Sequence, residues 1–154
     1  AMTFMFEYIG GEMTKDYLYA VTPLLEDALS DRDQIHRQTA ATVIKHMAIN
    51  CAGLGMEEVF IHFLNMLMPN IYETSPHVIE RILDGINGIR TNVGAGVFMN
   101  YVMIGLWYSA RKVRTPYWKL YNDCYVQSCD AMVPYYPKFE NDKEAEIEEL
   151  DVWF

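Results

Sequence analysis

Three short stretches of this chain open alike: Asp33-Gln34-Ile35-His36-Arg37, Pro76-His77-Val78-Ile79-Glu80 and Arg111-Lys112-Val113-Arg114. Their apolar anchors Ile35, Val78 and Val113 stand 43 and 35 residues apart. A recurrence at that period, in helix-forming sequence, marks helix pairs that cannot bury their apolar faces alone and must stack on one another. Three pairs are the minimum that sustains a continuous core.

The segments around the anchors read as helices. From Glu12 to Leu29 the residues Tyr17, Leu18, Val21, Leu24, Leu25, Ala28 and Leu29 fall on one helical face. Pro23 lies inside, and its missing N–H predicts a bend. Asp31 or Asp33 caps the next helix, whose face Ile35, Ala40, Val43, Ile44 and Met47 runs to about Ile49 before Gly53 and Gly55. Met56 to Tyr72 is apolar nearly all round and predicts one helix packed between neighbours, with Glu57 and Glu58 at its positive end. Thr74-Ser75-Pro76 predicts a hydroxyl cap followed by proline in the first turn. Val78, Ile79, Ile82, Leu83, Ile86, Ile89 and Val93 then form an amphipathic stripe. Gly94-Ala95-Gly96 predicts a turn, Val97 to Tyr108 an apolar helix, and Lys112 to Val126 its partner, with Val113, Tyr117, Trp118, Leu120, Tyr121 and Cys124 buried. Ala131 to Tyr136 predicts one more short helix between Pro134 and Pro137.

The predicted fold class is therefore all-α, an α-solenoid of HEAT-type antiparallel helix pairs, since HEAT and armadillo units repeat every ~40 to 47 residues. Residues 1–11 read as the end of a truncated preceding repeat, 12–127 as three repeats, and 128–154 as a C-terminal cap and acidic tail. The chain starts in apolar sequence at Phe4-Met5-Phe6 and reaches Gly10-Gly11, the pair expected just past a helix end. An acid ending one turn and an arginine on the following helix, as at Asp33 and Arg37, predict ion pairs between adjacent repeats.

Charge narrows the function. The net charge is −9, from 12 basic and 21 acidic residues, which argues against a general phosphate-backbone binder. Much of the excess lies between Lys138 and Asp151, where seven acids face Lys138 and Lys143 and leave a local balance of −5. That run contains Ile147 and Leu150 and ends in Val152-Trp153-Phe154. A merely solvating tail would lack such an end, so Trp153 and Phe154, together with Tyr135 and Tyr136, are candidates for docking on a partner.

The chain is poor in catalytic and metal-binding signatures. His36, His46, His62 and His77 include no pair four residues apart, Cys51, Cys124 and Cys129 form no Cys-x-x-Cys, and there is no P-loop, dinucleotide fingerprint or nucleophile elbow. No catalytic residue, metal site or cofactor is expected, and the cysteine usage fits a reducing compartment. No apolar run approaches the ~18 residues of a membrane span. One stretch opposes the general acidity: Arg111, Lys112, Arg114 and Lys119, interleaved with Tyr117, Trp118 and Tyr121. Such a mixture holds RNA backbone and bases; equally, Arg114 belongs to the inter-repeat ladder and the aromatics to the core.

Longer blocks carry a resemblance. Phe6-Glu7-Tyr8-Ile9-Gly10, Lys15-Asp16-Tyr17 through Leu29, Asp31-Arg32-Asp33, His36 through Ala40, Glu73 through Val78, Ala110 through Arg114, Tyr117-Trp118-Lys119 and Tyr121-Asn122 closely resemble, in matching order, the C-terminal end of the large HEAT-repeat subunit of splicing factor 3b. The resemblance covers nearly the whole chain from Phe4 to Phe154. Gly11 looks like a one-residue insertion, the loop from Asn50 to Gly55 differs, the second hairpin is rich in methionine, and the tail keeps only Glu149-Leu150-Asp151 with an aromatic finish. These departures suggest a divergent organism rather than a different function.

The resemblance implies a nuclear, non-enzymatic scaffold that helps hold the branch-site duplex during pre-mRNA splicing. It implies as partners a large β-propeller subunit, a small zinc-binding subunit and the pre-mRNA branch site. By position in the Phe-Glu-Tyr-Ile-Gly motif, it implies that Tyr8 lines the branch-adenosine pocket. A protein-binding HEAT scaffold of a nuclear transport or phosphatase complex is the alternative. By itself the chain is expected to bind RNA weakly or not at all, and to be a monomer or an artefactual dimer through its uncovered first helix.

Overall fold

The computed structural model describes residues 12–73 and 75–135. Its order is α1 (Glu12–Leu29), α2 (Gln34–Asn50), α3 (Glu57–Leu67) continued by a 3-10 turn (Met68–Tyr72), α4 (Pro76–Val93), α5 (Ala95–Val102) continued by a second 3-10 turn (Met103–Gly105), α6 (Arg111–Ser128), and a closing 3-10 segment (Cys129–Tyr135). There is no strand among the described residues. The helices pack in sequence as three hairpins, α1 with α2, α3 with α4 and α5 with α6, and α2, α4 and α6 pack successively on one another. The all-α solenoid expectation is met.

Local chemistry explains the boundaries. The Asp33 carboxylate accepts from the Ile35 amide at 2.9 Å and caps α2, while Asp31 accepts from the Asp33 amide at 2.8 Å and shapes the turn before it. Helix α1 continues through Pro23, which sits on its exposed side. Gly53 and Gly55 leave α2 at φ +79° and +76°, the left-handed region that favours glycine.

Several expectations shift. Met56–Tyr72 is not one α-helix: Pro69 lacks the amide that would bond the Asn65 carbonyl, so the chain tightens to 3-10 geometry from Met68. The Asn70 side chain then donates to the Met66 carbonyl at 3.0 Å. The Gly94-Ala95-Gly96 turn shrinks to Gly94 alone, at φ +86°, and α5 starts at Ala95. That helix stops at Val102 rather than Tyr108. Ser75 takes the extended N-cap conformation, yet its hydroxyl makes no cap bond; its carbonyl accepts the Ile79 amide at 3.1 Å. Of the three anchors Val78 is fully buried, Val113 is half-buried, and Ile35 is 68% exposed. Ile35 lies in the first turn of α2, off the face formed by Ala40, Ala41, Ile44, Met47 and Ala48. On α1 the buried stripe is Thr14, Leu18, Leu25 and Leu29, and Tyr17 and Leu24 fall on its exposed flank.

One continuous core links the pairs, with Phe60, Phe63 and Phe98 as its largest fully buried side chains. At about 25 cal/mol per Å² of apolar surface buried, such rings dominate the stabilisation. The closest helix approach is α2 against α4. A Cβ on Gly85 would stand 3.0 Å from the Ala41 carbonyl oxygen, and one on Gly88 2.9 Å from the Lys45 Cα. Along the same line the buried Asn92 amide donates to the Ala48 carbonyl at 3.0 Å. Gly85, Gly88 and Asn92 thus form a stripe of backbone-to-backbone packing with Ala41, Lys45 and Ala48.

Side-chain bonds cross each repeat boundary. From first to second pair, Arg37 Nη2 reaches Glu73 at 2.6 Å and His62 Nε2 meets Glu26 at 2.7 Å. From second to third, Tyr72 and Tyr117 share a hydroxyl bond at 2.9 Å, Asn87 donates to Asp123 at 3.2 Å, and Arg90 donates to Gln127 at 2.5 Å. The arginine-to-acid pairing expected between adjacent repeats is present at Arg37.

Candidate interaction groove

The two interfaces between successive second helices differ. Helix α4 lies backbone to backbone on α2, but meets α6 through longer side chains, with Asn87–Asp123 and Arg90–Gln127 tying the C-terminal halves. The N-terminal halves of α4 and α6 leave a groove with a cavity volume of about 680 Å³. Ile79, Leu83 and Pro116 give it an apolar floor, and Arg111, Lys112 and Lys119 line it with positive charge, opposed by Glu80 alone. Past Ile79 and Lys112 it adjoins a recess of about 260 Å³ reaching Tyr72 and Glu73.

The basic stretch singled out in the sequence is thereby divided. Arg111, Lys112 and Lys119 come together along the groove. Arg114 does not join them: its Nη1 donates to the carbonyls of Tyr108 at 3.1 Å and Ser109 at 2.8 Å. Arg37 does the same to Asp31 at 2.8 Å and Arg32 at 3.2 Å, in the corresponding turn of the first pair. Both arginines brace the tight turn that precedes their helix.

The interleaved aromatics are also held by the fold. Tyr117 packs its ring where a Cβ on Gly105 would lie 2.2 Å away, and its hydroxyl pairs with Tyr72. Burial, reinforced by that hydrogen bond, pushes the Tyr117 phenol well above its ordinary pKa, and burial likewise raises Tyr121. Trp118 donates from Nε1 to the Leu106 carbonyl at 2.9 Å and meets Trp107 and Tyr121 edge-on, both at 5.6 Å. None of the three lines the groove. The exposed aromatic side chains nearest them are Trp107 and Tyr108, Tyr125 on α6 itself, and Tyr72 in the adjoining recess.

Other sequence candidates fall elsewhere. Tyr8, Tyr136, Trp153 and Phe154 lie outside the described residues, as does the side chain of Tyr135. Sequence reasoning missed the groove floor and the acid Glu80. The shorter second spacing, 35 residues against 43, together with Leu120 and Asp123 at the α6 positions that match Gly85 and Gly88 when Val113 is set on Val78, was the available signal. Among the described residues no three His, Cys, Asp or Glu side chains are grouped to hold a metal ion. No helix there is long and apolar enough to cross a membrane.

Stacked helix pairs, turn-bracing arginines and side-chain bonds across each repeat boundary define a helical-repeat protein of the HEAT type. Within that class the chain is 57% identical over 152 residues to the U2 snRNP component HSH155 of Saccharomyces cerevisiae, a match covering 99% of this chain and 16% of that protein. It is 58% identical over 143 residues to the U2 snRNP component prp10 of Schizosaccharomyces pombe, covering 93% of this chain and 12% of that protein. The chain thus spans less than a fifth of either relative. The resemblance to the large HEAT-repeat subunit of splicing factor 3b is borne out: nearly all of this chain is homologous to one segment of these yeast proteins. A scan against protein-family models finds no match.

Proposed function

We propose that this chain is a non-catalytic scaffold segment of a splicing factor 3b complex, supporting branch-site recognition in pre-mRNA splicing in the nucleus. The carrying observation is identity of 57% and 58%, across nearly the whole chain, to two proteins named as U2 snRNP components. The fold supports a scaffold role, because a stack of helix pairs offers extended surfaces and edges rather than one enclosed site. The relatives give no support to a transport or phosphatase scaffold.

In this reading the chain acts through its neighbours. The β-propeller and small zinc-binding subunits are its protein partners, and Tyr8 faces the branch adenosine in the assembled complex. With a net charge of −9, the chain contributes little RNA affinity of its own. The test is immunoprecipitation of the tagged full-length protein from its own cells, followed by probing for U2 snRNA. Enrichment of U2 over the other spliceosomal RNAs is expected, and recovery without U2 overturns the proposal. Replacing Tyr8 by Ala in that protein should alter branch-site use.

A further inference from the structure

We propose that the groove between the N-terminal halves of α4 and α6 is the docking site of this chain's own acidic C-terminal run, residues 140–154. Trp153 and Phe154 would then anchor on the chain itself rather than on a partner. The inference stands independently of the proposed role in splicing.

Charge is the first ground. In a chain of net charge −9, the groove gathers Arg111, Lys112 and Lys119 against the single acid Glu80. The run from Glu140 to Asp151 carries seven acids and one lysine. Opposed potentials of this kind fix orientation and register on a surface.

Shape and polarity are the second ground. Ile79, Leu83 and Pro116 form an apolar floor below the cations. Ile147, Leu150, Trp153 and Phe154 supply bulky side chains, spaced among acids, to fill it. A polynucleotide fits less well. Single strands bind where bases stack on aromatic faces, whereas Tyr117 packs over Gly105, Trp118 is bonded to the Leu106 carbonyl and Tyr121 meets Trp118 edge-on, so none of the three offers its face to the groove.

Length is the third. The axis of α6 from Ser128 back to Arg111 is about 26 Å long at ~1.5 Å per residue. An extended stretch of ten residues spans about 33 Å. The residues after Tyr135 therefore suffice to bring 147–154 to the groove.

Methyl NMR on the full chain and on a chain ending at Pro137 tests this. Removing the run should shift the Ile79 and Leu83 methyl signals, and a synthetic peptide of residues 140–154 added in trans should restore them. Lys112→Glu with Lys119→Glu should weaken that peptide at least tenfold, and raised salt should weaken it too. The double variant Trp153→Ala, Phe154→Ala in the full chain should move the same signals, which keeps the test decisive if the shortened chain folds poorly. Unchanged Ile79 and Leu83 signals in the shortened and alanine variants overturn the proposal. So does a twelve-nucleotide single-stranded RNA that moves those signals at the concentrations where the peptide does.

Discussion

Arg37 and Glu73 are 36 residues apart in sequence and 2.6 Å apart in space, with side chains only 11% and 26% exposed. The same guanidinium donates through Nη1 to the carbonyls of Asp31 and Arg32, so one side chain braces a turn and fastens it to the next repeat. Arg37→Ala removes three hydrogen bonds from a charged donor. The expected loss is about 1.5–3 kcal/mol of unfolding free energy, since hydrogen bonds to charged groups contribute about that much and the exposed part of Glu73 recovers solvation. Urea unfolding of the variant checks it; a loss below a few tenths of a kcal/mol would mean the pair is solvent-screened.

Gly88 offers a different kind of test. A methyl group there would stand 2.9 Å from the Lys45 Cα, which is backbone and cannot swing aside. Gly88→Ala raises helix propensity yet forces α2 and α4 apart, so a net destabilisation of about 1–3 kcal/mol is expected from overpacking. An increase in melting temperature would contradict the close approach.

The exposed pair His36 and Asp31, 2.8 Å apart, predicts a pH signature. The hydrogen bond that His36 donates to the Asp31 carboxylate raises the His36 pKa above 6.5, and the bond from the Asp33 amide, then that from His36, lower the Asp31 pKa below 3.8. The histidine contribution is present in full below pH 6.5 and fades as pH rises through its folded value. The aspartate contribution is present above pH 3.8 and fades as pH falls through its own folded value. The pair therefore contributes most between those limits. An NMR titration placing the His36 midpoint at or below 6.5 would count against it.

Thiol chemistry should separate the cysteines. Cys51 is fully buried and desolvation pushes its thiol up to about 11, Cys124 is buried and raised as well, and Cys129 is exposed. A disulfide reagent at pH 8 should find one fast thiol in the native chain and three after denaturation. Two fast thiols would place Cys51 or Cys124 nearer solvent than the fold allows.

What could be read from the chain in advance follows a physical division. The stripe from Val78 to Ile89 and the arginine pairing at Arg37 were legible, because helical periodicity and charge are written locally. The break at Met68 was written too, in Pro69, but the apolar run around it masks the missing amide. Ile35 misled because an apolar residue in a first turn can occupy the register of a core anchor while its side chain faces solvent. The groove was half legible. Arg111, Lys112 and Lys119 announce themselves as a cluster, whereas Arg114 turns back to Tyr108 and Ser109, and Tyr117 folds over Gly105 through contacts that no spacing rule specifies. The apolar floor arises only when α4 and α6 fail to close over Ile79 and Leu83, and tertiary packing decides that.

The stripe of Gly85 and Gly88 has a mechanical meaning as well. With backbone lying on backbone, the first two helix pairs have no side-chain slack to absorb a twist and will move as a single block. The third pair rests on longer, softer side-chain contacts such as Asn87–Asp123 and Arg90–Gln127. A torque applied along the stack by any larger assembly would therefore be taken up at the second boundary, making the stretch between α4 and α6 the compliant joint of an otherwise stiff rod.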